Sequence, residues 1–213
     1  MKEKFDFNNI KEFDNHISLS IPNYDGLFDI FQAIALEYMP EDGKCIDIGC
    51  STGKFLNDLS LQTKGDYYGV DVVDMKSPYY ENITYVNADA YDILKQFTNV
   101  DLIICMFTLQ FLGKTKRKLV VNELKRLVEN GSKLLIAEKV FIGDAKLSSV
   151  IYKEHINQKR KHFSDTDILD KDYALLGKMQ CLSDFDINKE LEHIGFQSQV
   201  WQSYNFKGWF VEH

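Results

Sequence analysis

The stretch Cys45-Ile46-Asp47-Ile48-Gly49-Cys50-Ser51-Thr52-Gly53 limits the folds open to this chain more than any other. A short apolar run carries an acid near its end, a glycine-bearing turn follows, and Lys54 to Leu61 continues as an amphipathic segment. That order reads as strand, tight turn, helix, with the turn at the carboxyl end of the strand. In open α/β sheets the crevice at that end is where ligands bind. Glycine there lets the backbone turn sharply and lets a ligand approach where a Cβ would block it.

The rest of the chain repeats the rhythm. Leu27, Phe28, Phe31, Ile34, Ala35 and Tyr38 recur at helical spacing and predict a helix over Asp25–Tyr38, closed by Pro40-Glu41-Asp42-Gly43. Strands are predicted at Cys45–Ile48, Tyr67–Val70, Ile83–Val86, Leu102–Met106 and Leu134–Ala137, with a helix over Lys116–Glu129 stopped by Asn130-Gly131. Leu102–Met106 is an almost unbroken apolar run, as expected of a strand buried on both faces. Alternation of this kind predicts a parallel sheet with helices on both faces. Residues 1–23 read as irregular, with a turn at Ser20-Ile21-Pro22-Asn23. The rhythm breaks after Glu138, where residues 143–180 carry helical patterns and charge but no strand, as a helical lid inserted after the fifth strand would. A helix over Asp186–His193 follows, then strand-like runs at Gln197–Tyr204 and Trp209–Glu212. Only four residues separate those two runs, too few for a parallel crossover, so they are expected as an antiparallel hairpin at the sheet edge.

The glycine spacing narrows the ligand. A dinucleotide fingerprint read from Gly49 would need glycines where Ser51 and Lys54 stand, and a phosphate loop would need Ser or Thr where Phe55 follows Lys54. Asp47 would also repel a phosphate; it suits a cationic ligand bearing an amine, such as S-adenosylmethionine (SAM). Asp47, Asp71 and Asp89 stand where the first three strands end, so their carboxylates are expected to converge on one crevice. Asp71 falls 24 residues after Asp47, about the separation of a ribose-binding acid. A carboxylate there can accept hydrogen bonds from both ribose hydroxyls. Asp89 is placed for an adenine amino group, and Asp47 with the glycine turn for the methionine end.

Composition removes other classes. With 213 residues and 45% apolar content the chain is expected to fold as a single domain spanning residues 1–213. The net charge of −7 counts against a nucleic-acid substrate, which leaves a basic footprint, and Lys159-Arg160-Lys161 alone reads as a solvated helix face. Cys45, Cys50, Cys105 and Cys181 lack the close pairing of a zinc site, so no metal is expected. No apolar run approaches a membrane span and no signal-peptide pattern is seen, so a cytoplasmic protein with no membrane partner is expected.

The glycine turn, Val70-Asp71 and Asn87-Ala88-Asp89 resemble motifs of the class I SAM-dependent methyltransferases. A narrower resemblance is to the carboxy-S-adenosylmethionine synthases, which supply a carboxymethyl donor for tRNA wobble-uridine modification. It is carried by Ser20-Ile21-Pro22-Asn23-Tyr24, Asp47-Ile48-Gly49-Cys50-Ser51, Phe107-Thr108-Leu109-Gln110-Phe111-Leu112, Glu138-Lys139, Asp144-Ala145-Lys146 and Tyr204-Asn205-Phe206. The resemblance implies a Rossmann-like, seven-stranded, mainly parallel sheet with a reversed last strand, a helical lid and a homodimer. It implies cofactor contacts at Tyr24, Asp47, Gly49, Ser51, Asp71 and Asp89, with Cys50, Gly53, Val72, Ala90 and Met106 as further candidates. It matches His155 to a family histidine, and His155 and Tyr24 are the candidate catalytic residues, with Glu138 a further candidate base. The chain departs from the family twice. An ungapped alignment over Ser164–Met179 sets Asp172 where the family has an arginine that grips a carboxylate, and Met106 stands where the family has an asparagine.

The function expected on this footing is in-line methyl transfer from SAM, leaving S-adenosylhomocysteine (SAH), to a small-molecule acceptor. Two alternatives stand beside it. One is synthesis of carboxy-SAM from SAM and a carboxyl donor such as prephenate, with Lys159, Arg160 or Lys171 supplying the cation that Asp172 cannot. The other is a SAM-binding sensor or partner subunit without catalysis.

Overall fold

The computed structural model describes residues 13–73 and 80–213. Helices α1 (Phe13–Ser20) and α2 (Tyr24–Tyr38) lead into strand β1 (Gly43–Ile48), helix α3 (Lys54–Ser60) and strand β2 (Gly65–Asp71). Strand β3 (Ile83–Asn87), helix α4 (Ala90–Leu94), strand β4 (Leu102–Met106), helix α5 (Lys114–Glu129) and strand β5 (Lys133–Lys139) follow. Helices α6 (Ala145–Lys159), α7 (Asp165–Leu175) and α8 (Asp184–Ile194) precede the hairpin of β6 (Phe196–Ser203) and β7 (Phe206–Glu212).

The seven strands are ordered β3-β2-β1-β4-β5-β7-β6. The first five pair in parallel, whereas β7 runs antiparallel to both β5 and β6. This is the Rossmann-like sheet with a reversed last strand, and the closing hairpin lies at the edge as expected. Strand order reverses between β1 and β4, the switch point at which a crevice opens in such sheets.

Alternation along each strand sends side chains to two cores. Ile46, Ile48, Ile103, Cys105, Leu134, Ile136 and Trp209 pack under α4, α5 and α8. Cys45, Leu102, Ile104, Leu135, Ala137 and Phe210 pack under α2 and α3 with Leu27, Phe31 and Phe55. Cys45 and Cys105 are fully buried, as their apolar settings predicted. Asp47 shares the pleat face of Cys45 and therefore points to the α2 side.

One local expectation is corrected. Phe13–Ser20 is helical, where the sequence read as irregular; residues 1–12 of that stretch lie outside the described residues. A helix of eight residues gains little from propensity alone. Tertiary contacts hold α1: Ile17 packs on the α2-side core, and Asp14 Oδ1 accepts a 2.8 Å hydrogen bond from Thr52 Oγ1. Among the described residues no helix is long and apolar enough to cross a membrane.

Candidate functional site

The site is assembled at the carboxyl ends of β1, β2 and β4. After β1 the chain alternates through left-handed conformations at Gly49 (φ 77°), Ser51 (φ 51°) and Gly53 (φ 79°). The turn is clamped from β2: the Gly49 and Cys50 amides donate to the Val70 carbonyl at 2.7 and 3.1 Å, and the Ser51 amide donates to Asp71 Oδ2 at 3.0 Å. Ser51 Oγ is buried without a hydrogen-bond partner among the described residues, an orphaned polar group at the cavity wall. Such a group is costly unless a ligand satisfies it. After β4, Phe107 is also left-handed (φ 56°), a conformation a bulky side chain adopts only under constraint.

These elements wall a cavity of about 1110 Å³, slightly above the range usual for small-molecule sites. The structure brings together nearly all of the sequence-predicted residues there. Tyr24, Asp47, Gly49, Cys50, Ser51, Asp71, Val72, Asp89, Ala90, Met106 and His155 all line it. Gly53 is not among the lining residues. Its glycine is required for another reason: a Cβ at this positive φ would run into the Tyr85 hydroxyl, which donates to the Thr52 carbonyl at 2.9 Å.

The acids differ in their surroundings. Asp47 is 2% exposed, and burial with Asp71 nearby pushes its carboxyl up to about 8. Among the described residues no cation pairs with it, so the site lacks one positive charge that a ligand amine would bring. Asp71 Oδ1 accepts from the Val73 amide at 2.9 Å while Oδ2 holds Ser51, which fixes the carboxylate and leaves lone pairs on both oxygens. Asp89 caps α4 through the Tyr91 amide at 3.0 Å and pairs with Lys116 at 2.6 Å.

The candidate catalytic residues are held more tightly than a base requires. Tyr24 has its phenol raised by burial and then by Asp47, so it stays protonated and can act as a hydrogen-bond donor. His155 Nε2 lies 2.9 Å from the Ser20 carbonyl; a carbonyl only accepts, so this nitrogen carries the proton. Burial lowers the His155 imidazole to about 4, and its ring packs on Phe206 at 5.3 Å. His155 thus pins α6 to the carboxyl end of α1.

Glu138 does not face the cavity. It accepts from Arg117 Nη1 at 3.1 Å, and Arg117 also binds Glu190 at 2.7 Å. Burial raises the Glu138 carboxyl to about 7 despite Arg117. This buried triad ties α5 and α8 to the end of β5. Arg117→Met strands two carboxylates and is expected to cost about 3–5 kcal/mol in urea unfolding at pH 8. The loss should shrink below pH 7, because a protonated Glu138 no longer needs the guanidinium.

Sequence reading missed several wall residues. His16 and Ser20 come from α1, where Lys171 Nζ meets His16 Nε2 at 2.8 Å and donates to Ser20 Oγ at 2.9 Å. Lys139 comes from the end of β5. Lys159 is buried on the inner side of α6, which corrects its reading as part of a solvated run. Arg160 is exposed and pairs with Asp165 at 2.7 Å, so it is not a cation for the cavity. Asp172 does line the wall, held by the Tyr152 hydroxyl at 2.8 Å and Lys159 at 3.6 Å.

Comparison with known proteins matches residues 46–136, from β1 through β5, to a methyltransferase domain family. Residues 46–136 are thus similar to a methyltransferase domain, and the strand order around them is Rossmann-like. Domains of this type are SAM-dependent transferases, and the match spans the turn, Asp47, Asp71 and Asp89. The chain is 26% identical over 219 residues to carboxy-S-adenosyl-L-methionine synthase of Colwellia psychrerythraea, covering 95% of this chain and 88% of that one. In fold it is similar to magnesium protoporphyrin IX methyltransferase of Synechocystis PCC 6803, solved with bound SAH: TM-score 0.60, 15% identity, 97% of each chain. It also matches human N-acetylserotonin methyltransferase, solved with SAM, at TM-score 0.55 and 12% identity. That match covers 87% of this chain but only 54% of the human one, so this chain spans about half of that relative's length.

Proposed function

We propose that the chain binds SAM at the β1–α3 turn and transfers its methyl group in line to a small-molecule acceptor. One observation carries the reading: a buried Asp47 and a Ser51 hydroxyl, both without partners among the described residues, share one cavity with a fixed Asp71 and a glycine turn, with room beyond a nucleoside cofactor. Asp47 suits the amino group, Ser51 and the turn the amino-acid end, Asp71 the ribose, and Asp89 with Val72 and Ala90 the adenine. Met106 and Tyr24 lie on the wall between cofactor and acceptor. When bound, the cofactor supplies a methyl group on a sulfonium centre.

The protein's share is positioning. A near-attack alignment held by the cavity can supply about 7–11 kcal/mol of the barrier. Tyr24 donates a hydrogen bond and His155 sets the wall, so an acceptor that keeps or has already lost its proton fits better than one needing a strong base. Helices α6 and α7 act as the lid over residues 143–180 within a single domain. Exposed Leu147, Val150, Leu169 and Tyr173 on these helices give a homodimer apolar surface to cover, and four free thiols suit a reducing cytoplasm.

A second reading, carboxy-SAM synthesis, is supported by the 26% identity over most of the chain and by Lys159 and Lys171 on the cavity wall. Mass spectrometry of the small molecule released from freshly purified, denatured protein separates the two. SAM or SAH alone is expected. Carboxy-SAM, heavier by one carbon dioxide, would overturn methyl transfer in favour of the second reading.

A further inference from the structure

A buried glutamine stands on the cavity wall beyond the end of β4. Gln110 is 5% exposed and belongs to a single helical turn, Leu109–Phe111, that follows the strained Phe107. Three segments meet at this residue. Its side-chain carbonyl accepts from the Lys139 amide at 3.0 Å, and its backbone carbonyl accepts from the Gln180 amide at 2.6 Å. The turn after β4, the end of β5 and the end of the lid are thereby held together.

The first of these bonds fixes which way the side-chain amide faces. A backbone N–H only donates, so the group turned to Lys139 is the oxygen and the group left over is the NH2. Among the described residues this NH2 has no hydrogen-bond partner, and it is not sealed in the core. It is the polar end that Gln110 presents to the cavity. The cofactor residues Gly49, Ser51 and Asp71 lie on the β1 and β2 side of β4, whereas Gln110 lies toward β5, beside Met106 and Lys139. An amide NH2 can only donate. Held in place by backbone bonds, it is preorganised for an oxygen and loses little freedom when one arrives.

We propose that Gln110 is a specificity-determining residue whose NH2 donates to an oxygen of the acceptor, so that the site selects molecules bearing a carbonyl-type oxygen over their carbon isosteres. This rests on the reading of the cavity as a SAM site and adds to it a chemical requirement on the acceptor. Tyr24, whose phenol stays protonated, offers a second donor on the same cavity wall.

Gln110 also has a structural use as a clamp, and Gln110→Glu separates the two roles. Glutamate keeps an oxygen for the Lys139 amide but puts an acceptor where the donor was. Full-length protein saturated with SAH is titrated at pH 8 with acetophenone and with its carbon isostere isopropenylbenzene. Proton–nitrogen NMR follows the glutamine side-chain amides, the Gln110 pair being the one that disappears in Gln110→Glu and Gln110→Met. Acetophenone is expected to shift the Gln110 amide protons and to bind about ten-fold more tightly than isopropenylbenzene. Gln110→Glu should lose that preference while SAH affinity stays within two-fold and the circular dichroism spectrum is unchanged. Should Gln110→Glu fail to fold, the wild-type titration decides alone.

Gln110 amide signals that do not move with acetophenone, or equal binding of the two probes, would overturn the assignment. A shift of those signals on adding SAH alone, with ten-fold weaker SAH binding by Gln110→Glu and 5′-methylthioadenosine bound as before, would hand the amide to the cofactor's carboxylate and overturn the acceptor role. Failure of wild-type protein to bind SAH would overturn the SAM reading itself.

Discussion

Asp47→Asn is expected to weaken SAH binding about 100-fold at pH 8 while making the free protein more stable. The two effects have one cause. Asp47 is a buried carboxyl with no cation paired to it among the described residues, and burial with Asp71 raises it to about 8. Against the ordinary aspartate value of 3.8, the folded state holds a proton that the unfolded state has released between those two values. Stability therefore falls as pH rises through that window, since the native state binds more protons there. Asparagine keeps the shape and removes the titration. The variant should gain on the order of 5 °C in melting temperature at pH 9 and little at pH 4.

A cationic amine reverses the balance when it binds. It favours the carboxylate, so affinity in the wild type should climb with pH up to about 8 and then level. Removing one partner of such a buried pair costs several kcal/mol. A 100-fold loss corresponds to about 2.8 kcal/mol. Titration calorimetry with SAH at pH 6, 7, 8 and 9 checks both halves. A wild-type affinity that is flat with pH, or an Asp47→Asn variant that binds as well as the wild type, would remove Asp47 from the amine's place.

The acids were legible because strand ends are legible. Cys45–Ile48, Tyr67–Val70 and Ile83–Val86 each announce a strand by apolar content, and parallel topology then brings their ends to one edge. Gly53 shows the limit of that reasoning. Pattern assigns a glycine in the turn to the ligand, but only the fold reveals that Tyr85 occupies the space a Cβ would need.

The lid side was poorly legible for a related reason. Periodicity in α6 and α7 is weak, because these helices face a polar cavity on one side and expose apolar residues such as Leu147 and Leu169 on the other. A helix that buries lysine and histidine inverts the pattern that amphipathic reading relies on. Helix α1 escaped notice because its order comes from Asp14, His16 and Ile17 meeting distant partners, which local propensity does not register. The family resemblance set Asp172 where an arginine was expected; the fold adds that Tyr152 and Lys159 already hold it.

Gly49→Ala is the substitution expected to do most damage for the fewest atoms. Gly49 sits at φ 77°, where an alanine is strained by about 1–2 kcal/mol. Its Cβ would also collide with the Thr108 hydroxyl and stand 2.8 Å from Thr108 Cγ2. Thr108 cannot simply swing away, because its hydroxyl donates to the Ile48 carbonyl at 2.9 Å and lies 3.2 Å from that of Met106. Overpacking of this kind costs a further 1–3 kcal/mol. The turn must therefore shift, and with it the Gly49 amide that holds Val70 at 2.7 Å and the Ser51 amide that fixes Asp71. Urea unfolding should show a loss of about 2–5 kcal/mol, and SAH affinity should fall at least 100-fold because the amine, ribose and turn contacts move together. Gly143→Ala, where a Cβ meets open space, should change neither quantity. In a Thr108→Ala background the collision disappears but the left-handed strain does not. The stability cost of Gly49→Ala should then shrink toward 1–2 kcal/mol. An unchanged cost in that background would show that backbone strain alone, rather than the meeting of the β1 and β4 turns, demands glycine at this position.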